Sequence, residues 1–292
     1  MSSFWSAWVI ILTAITFVLT AWLLLANRKT LNAGKTTGHS HDGIEEYDNP
    51  LPQWWLILFW GTIVFGIGYL IAFPGMGNFP GVLGWTSVGQ YEEEMAAAEA
   101  RYAPLYAQYS DTPVEQLYQN DEAMKMAQRI FGNNCSQCHG SDARGAFGFP
   151  NLVDDDWNWG GTPDAIRTTI VNGRNGIMTP WGPILSNDQV DQVVAYVQQI
   201  SGQGHNAQLA QAGQAVFMSY CAACHGPDAT GIDALGSVNL TDDIWLYGPE
   251  EQWIRQAVIL GRNNQMPAWG QFLSDDKIHL LTAYVYGLSK DG

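Results

Sequence analysis

The sequence predicts an all-α chain in which two N-terminal membrane-crossing helices precede two tandem copies of one small helical domain. Three observations carry this expectation. Two uncharged apolar runs, 4–26 and 54–73, each supply about the 20 residues that a helix needs to cross a bilayer. The remainder of the chain repeats itself. Within each copy, apolar residues recur at helical spacing between residues that start and stop helices.

The first apolar run has no positive charge ahead of it, whereas Arg28, Lys29 and Lys35 follow it, so it reads as a retained anchor and not a cleaved leader. Those basic residues lie in the short loop between the two runs, which places that loop in the cytoplasm and the rest of the chain across the membrane. Trp5, Trp8, Trp22, Trp54, Trp55 and Trp60 fit interfacial belts at the helix ends. Membrane lipid is therefore a first expected partner. A formal net charge of -15 disfavours nucleic acid, which is met by Lys and Arg, and leaves either cationic protein partners or a merely soluble acidic surface.

After the second run, glycines and prolines in 74–90 mark a connector. The polar stretch 91–109 reads as a helix with Glu92, Glu93 and Glu94 favoured by the dipole at its N-terminus. Then comes the repeat: IFGNNCSQCHG and VFMSYCAACHG, PNLVDDDW and VNLTDDIW, GRNGIMTPWG and GRNNQMPAWG. The copies are offset by 86 residues at the cysteines and by 88 from Asn151 and Asn239 onward, a loop insertion of two. In the first copy, Asn120 can cap a helix running to about Phe131. Thr162-Pro163 opens a second that Gly173 ends, and Ser186 with Gln189 forms a capping box for a third. Val190, Val193, Val194 and Val197 line the core face of that helix, as do Ile278, Leu281 and Val285 in the other copy. The expected segments are 1–53 (first membrane helix and cytoplasmic loop), 54–90 (second membrane helix and connector), 91–119 (helical linker), 120–202 (domain 1) and 203–292 (domain 2).

Every cysteine falls in one pattern, Cys135-Ser-Gln-Cys138-His139 and Cys221-Ala-Ala-Cys224-His225. This is the attachment signal of haem c: two thiols one helical turn apart add to the two vinyl groups, and the adjacent histidine reaches the iron. A four-thiolate zinc site requires neither histidine and would have to join pairs 82 residues apart. A redox dithiol belongs in a βαβ pattern that is absent here, and disulfides leave both histidines unexplained. Two covalently bound haem c groups follow, and with them the fuller fold expectation of tandem class I cytochrome c domains.

A sixth iron ligand is expected from Met178 and Met266, which sit in equivalent loops reading as neither helix nor strand. Sequence order pairs Met178 with His139 and Met266 with His225, although adjacent copies can exchange such loops. Met218, without a counterpart in the first copy, reads as packing. Soft sulfur raises the potential, and filling both axial positions leaves an electron carrier with no open site. Arg174 and Arg262 are either propionate partners or helix-terminal cations. Trp181 and Trp269 either pack on the porphyrin or fill the core. The carbonyls of Pro150 and Val238 are placed to accept the axial-histidine N–H.

HDGIEEYDNPLP followed by WWLILFW, then FPG and GW ahead of paired CxxCH units, resembles the dihaem P subunit of cbb3-type cytochrome c oxidases. The likeness runs from about Gly43 to Leu288. Some members have a single span, so the run 4–26 departs from the shortest pattern. The resemblance implies a subunit in the bacterial inner membrane with its haem domains in the periplasm. It would take electrons from donor cytochromes c and pass them through a monohaem cytochrome c subunit to the catalytic haem-copper subunit. The remaining histidines, His39, His41, His205 and His279, all lie outside the apolar runs, so this chain has no oxygen-reducing site of its own. His39 and His41 read as a solvated loop, and HDGIEEYDNPLP as either a docking element or a polar loop. A free-standing membrane-anchored dihaem shuttle is the alternative; a dihaem peroxidase would need an open iron position that the two methionines oppose.

Overall fold

The computed structural model describes residues 1–28 and 34–290, which divide into two compact units, Met1–Arg101 and Tyr102–Gly292. Lys29, one of the three orienting cations, lies outside the described residues.

In the first unit, α1 (Ser3–Ala26) and α2 (Gln53–Ala72) are long and apolar enough to cross a membrane. Almost all of their apolar surface faces outward, with Ser6, Leu24 and Ile63 as the buried exceptions. Helices that are apolar all round and unburied by protein need lipid around them. Gly77 closes the base of the unit: its φ is +59°, a Cβ there would meet Ser6, and Ser6 Oγ accepts the Asn78 N–H at 2.9 Å.

Between these helices lies a departure from the all-α expectation. Strands β1 (Thr36–His41) and β2 (Ile44–Tyr47) pair antiparallel, His41 opposite Ile44. Their two-residue loop is Asp42-Gly43, with φ of 53° and 82°, the left-handed pair that a tight hairpin turn requires. His39 and His41 are exposed on β1. The connector then yields to α3 (Ser87–Ala107), which begins before the expected Tyr91 and buries no residue.

The second unit contains α4 (Val114–Leu117), α5 (Asp121–Asn134), α6 (Ser136–His139), α7 (Pro163–Asn172), β3 (Arg174–Met178) and α8 (Asn187–Ile200) from the first copy. From the second come α9 (Ala207–Tyr220), α10 (Ala222–His225), α11 (Glu251–Leu260), β4 (Arg262–Met266) and α12 (Asp275–Leu288). The helix starts follow the capping chemistry. Asn120 Oδ1 accepts from Glu122 and Ala123, Asn206 does the same for α9, and Ser186 with Gln189 makes the reciprocal capping box.

Packing does not follow the copies. One core joins Ala123, Ala127, Ile130 and Phe131 of α5 and Ile166 and Ile170 of α7 to Ile278, Leu281 and Val285 of α12. The other joins Val190, Val193, Val194 and Val197 of α8 to Val216 and Phe217 of α9 and Ile254 and Val258 of α11. Each copy's last helix thus completes the other copy's core. The valine and isoleucine faces are buried as the periodicity requires, against a partner that periodicity cannot name. Ile278, Leu280 and Leu281 are each at most 1% exposed. Each such burial is worth roughly 1.5–3 kcal/mol, so α12 cannot leave this core cheaply.

The crossing point is a second departure from the all-α expectation, and from the expected irregular methionine loops. β3 and β4 pair antiparallel, Arg174 opposite Met266 and Met178 opposite Arg262. Local composition hides these strands because each finds its partner only in the other copy. Glycine makes the close approach possible at both ends. Gly173 and Gly261 each have φ of 69°, and a Cβ at either would strike the carbonyl of Met266 or Met178 respectively.

Candidate functional site

Each CxxCH segment is a short helix entered from a long one, so its geometry is inherited from α5 or α9. Cys135 N–H donates to Phe131 O at 2.8 Å, and His139 N–H donates to Cys135 O at 3.0 Å. The second copy repeats this with Cys221 to Phe217 at 2.8 Å and His225 to Cys221 at 3.0 Å. All four cysteines are free thiols, so they form no disulfide. Burial pushes the Cys135 thiol up to about 11, with Cys138 adding to the rise, and Cys221 beside Cys224 is raised likewise.

After each histidine the chain turns sharply. Gly140 and Gly226 take φ near 80°, and Ala143 and Ala229 adopt φ of 60° and 62° while fully enclosed. A left-handed alanine costs about 1–2 kcal/mol, and both copies carry the strain at the same place. The loop returns a carbonyl to the imidazole: His139 Nδ1 lies 3.0 Å from Pro150 O, and His225 Nδ1 lies 3.1 Å from Val238 O. A carbonyl only accepts, so Nδ1 carries the proton and Nε2 keeps its lone pair free. Burial lowers both histidine pKa values, the carbonyl contact opposing it in part, which favours the neutral ligand form.

The donor set fits haem c: paired thiols, an imidazole nitrogen fixed in its ligating tautomer, and a thioether. An orphaned polar atom supports the fit. Arg262 stacks over Tyr247 at 4.2 Å and donates to Gln256 at 3.1 Å, yet its Nε is buried without a hydrogen-bond partner among the described residues. Arg174 stacks over Trp159 at 4.6 Å and bonds Thr169 at 2.9 Å. A carboxylate acceptor such as a propionate satisfies a buried guanidinium N–H. The stacking aromatics Trp159 and Tyr247 were missed in the sequence, though both occupy the same place in the repeat, two residues after Trp157 and Trp245.

The methionines divide in a way that sequence order does not suggest. Met266 and Trp269 pack on the core that holds Cys135, whereas Met178 and Trp181 pack on the core that holds Cys221. Met218, expected to serve packing, is 49% exposed on α9. His205 is exposed, and His279 Nε2 bonds Thr112 O at 2.8 Å, a structural tie far from either CxxCH helix in sequence.

Residues 33–80 match the family described as the N-terminal domain of cytochrome oxidase-cbb3, FixP. Residues 122–197 and 208–285 each match the family described as cytochrome c oxidase, cbb3-type, subunit III. The chain is 45% identical over 293 residues, 99% of its length and 96% of the relative's, to the cbb3-type cytochrome c oxidase subunit CcoP of Rubrivivax gelatinosus. It is 41% identical to the subunit FixP of Azorhizobium caulinodans, over 87% of this chain and 92% of the relative. The subunit CcoP of Cereibacter sphaeroides is 40% identical over 87% of this chain and 94% of its own. Coverage of 99% in the first alignment takes in α1 as well.

Proposed function

The chain belongs to the family of cbb3-type cytochrome c oxidase subunits named CcoP or FixP, and on that premise we propose that it is the oxidase's dihaem electron-entry arm. Two haem c groups would be held, one by Cys135, Cys138 and His139 and one by Cys221, Cys224 and His225, with Met178 and Met266 as the remaining residues that would hold the iron. The observation that carries this reading is the paired His–carbonyl contact, 3.0 Å at Pro150 and 3.1 Å at Val238, which leaves both Nε2 atoms as ligands.

When bound, haem c supplies reversible one-electron chemistry near the potential set by its ligands. The chain's own residues do the rest. The cysteines fix the ring's position, the carbonyl-tied histidines fix one ligand's orientation, and the cores around Phe131 and Phe217 keep water from one side. Arg174 and Arg262 place positive charge where a propionate would lie. With Met178 and Met266 also holding the iron, no ligand position would be left for oxygen, and the domain would carry electrons and leave oxygen to the catalytic haem-copper subunit. The monohaem cytochrome c subunit is the acceptor in this scheme, and soluble or anchored cytochromes c are the donors.

Two spans with the basic residues Arg28, Lys29 and Lys35 between them support a cytoplasmic loop and a periplasmic haem portion in the bacterial inner membrane. The test is extraction from native membranes in gentle detergent. The chain should copurify with an assembly showing both b-type and c-type haem spectra. Recovery as a lone 32.2 kDa dihaem protein would replace the subunit reading with that of a free shuttle.

A further inference from the structure

Resting on the two-haem reading above, we propose that Thr169 and Ala257, which hold the same place in the two copies, set the two haem potentials apart. Thr169 engages Arg174 and keeps the haem of His139 lower. Ala257 leaves one donor of Arg262 for its haem, that of His225, and so keeps it higher.

The two arginine cages follow one plan. Arg174 and Arg262 each come directly after the glycine that ends α7 or α11. Each guanidinium stacks on an aromatic ring, Trp159 at 4.6 Å and Tyr247 at 4.2 Å. Each also sends Nη2 toward a helix carbonyl, Ala165 O at 3.5 Å and Trp253 O at 3.4 Å. The repeat offset of 88 residues makes those carbonyls equivalent, and it pairs Thr169 with Ala257 in the same way.

The cages differ at Nε. Arg174 Nε donates to Thr169 Oγ1 at 2.9 Å, and that hydroxyl gives its own proton to Ala165 O at 2.8 Å. The hydroxyl is thus an acceptor toward the guanidinium. Ala257 has no side-chain acceptor, and Arg262 Nε is buried without a partner among the described residues. Gln256 supplies an acceptor at 3.1 Å, but to Nη2. One repeat position therefore separates a satisfied donor from an orphaned one.

Each cage stands on a helix that walls its own copy's thiols. α7 puts Ile166 and Ile170 into the core against which Cys135 packs, and α11 puts Ile254 and Val258 into the core that holds Cys221. Arg174 accordingly belongs with the haem of His139 and Arg262 with the haem of His225.

The difference acts through the propionates. Their negative charge stabilises ferric iron, and hydrogen-bond donors that neutralise it raise the potential. A buried N–H without an acceptor is costly, and a propionate relieves that cost for Arg262. Arg174 gains less from the same turn because Thr169 already meets its Nε. The donors proposed for the two irons are of one kind, so the unequal cages separate the potentials. On stepwise reduction the haem of His225 fills first.

The experiment is a spectroscopic redox titration of the full-length haem-loaded chain, with covalently bound haem counted beforehand. Ala257→Thr should lower the upper of two waves and leave the lower in place. Ala257→Val adds the same bulk without an acceptor and should move neither. Thr169→Val, which keeps the shape and loses the acceptor, should raise the lower wave alone. Ala257 is only partly buried, which leaves room for the larger side chains. Should Ala257→Thr fail to fold or to attach haem, Thr169→Val reads the same relationship from the other copy. Waves that stay in place in the folded threonine and valine variants, a single wave for both haems of the unsubstituted chain, or an equal shift with Ala257→Val would overturn the inference while two haems remain attached. An unsubstituted chain without covalently bound haem would overturn the two-haem reading instead.

Discussion

The ring of Phe131 lies 5.4 Å from the ring of Tyr284, tilted by 53°, although the two residues belong to different copies of the repeat. The mirror pair, Phe217 and Tyr196, sits at 5.3 Å and 51°. These contacts fasten the first helix of each copy to the last helix of the other. Tilted aromatic pairs are worth about 0.5–1.5 kcal/mol beyond their buried area. A double-mutant cycle on Phe131→Leu and Tyr284→Leu, read by denaturant unfolding of the full chain, should return a coupling of about that size. The cycle on Phe131 and Tyr196 should return none; coupling there would indicate that each copy keeps its own helix.

Gly213 marks where α8 and α9 cross. A Cβ at that position would sit 2.0 Å from Gln192 O and 2.9 Å from Tyr196 Cβ, so the helices touch backbone to backbone. Gly213→Val should destabilise the chain by more than the roughly 1–3 kcal/mol of ordinary overpacking, seen as a lowered unfolding midpoint. Its counterpart Ala127, which is completely buried, tolerates the methyl that Gly213 cannot.

Arg262 distinguishes a propionate partner from a helix-terminal cation. Its Nε has no acceptor among the described residues, so Arg262→Gln should cost the haem-loaded chain more stability than the haem-free one and lower the potential of one haem. Equal losses with and without haem, measured by thermal unfolding, would restrict Arg262 to the helix-terminal role.

Asp156 lies where the equivalent acidic loops of the two copies meet. Burial, then Asp242, Asp154 and Asp233, raises its pKa from 3.8 to about 6. The folded chain therefore holds this proton more tightly than the unfolded chain does. Its contribution to stability is most favourable below about 4, falls as pH rises to about 6, and is unfavourable above. Asp156→Asn should raise the unfolding temperature above pH 6 and give no gain below pH 4, the half-exposed site keeping the effect modest.

Beyond Gly84 the chain carries 10 basic and 24 acidic residues. A field of that sign should steer a cationic donor, so oxidation rates of a basic cytochrome c should fall as salt shortens the Debye length. Rates independent of ionic strength would exclude electrostatic steering.

What could be read in the sequence was whatever depends on near neighbours. Asn120, Thr162-Pro163 and the Ser186–Gln189 box start helices in the structure as their chemistry requires, and the Pro150 carbonyl meets His139. The hairpin at Asp42-Gly43 was also legible, since that dipeptide favours a two-residue turn, but its polar flanks read as loop. What could not be read was partnership. Val193 and Leu281 announce a buried face, and because the copies are alike, either core satisfies either face. The β3–β4 ribbon shares this ambiguity: residues such as Asn175 and Gly176 become strand only when Gln265 and Asn264 lie opposite. Only the brief link 201–206 hinted that α8 and α9 are neighbours.

The nested packing sets an order of assembly. The core around Phe217 is built wholly from 178–261, so all its parts are present before β4 has been made. The core around Phe131 is opened by α4 and α5 and closed by α12, the final helix. A chain made from its N-terminus therefore completes first the core it began second. Until the last turn of α12 arrives, the apolar faces of α5 and α7 stay uncovered, and that interval is when this protein is most exposed to aggregation and proteolysis.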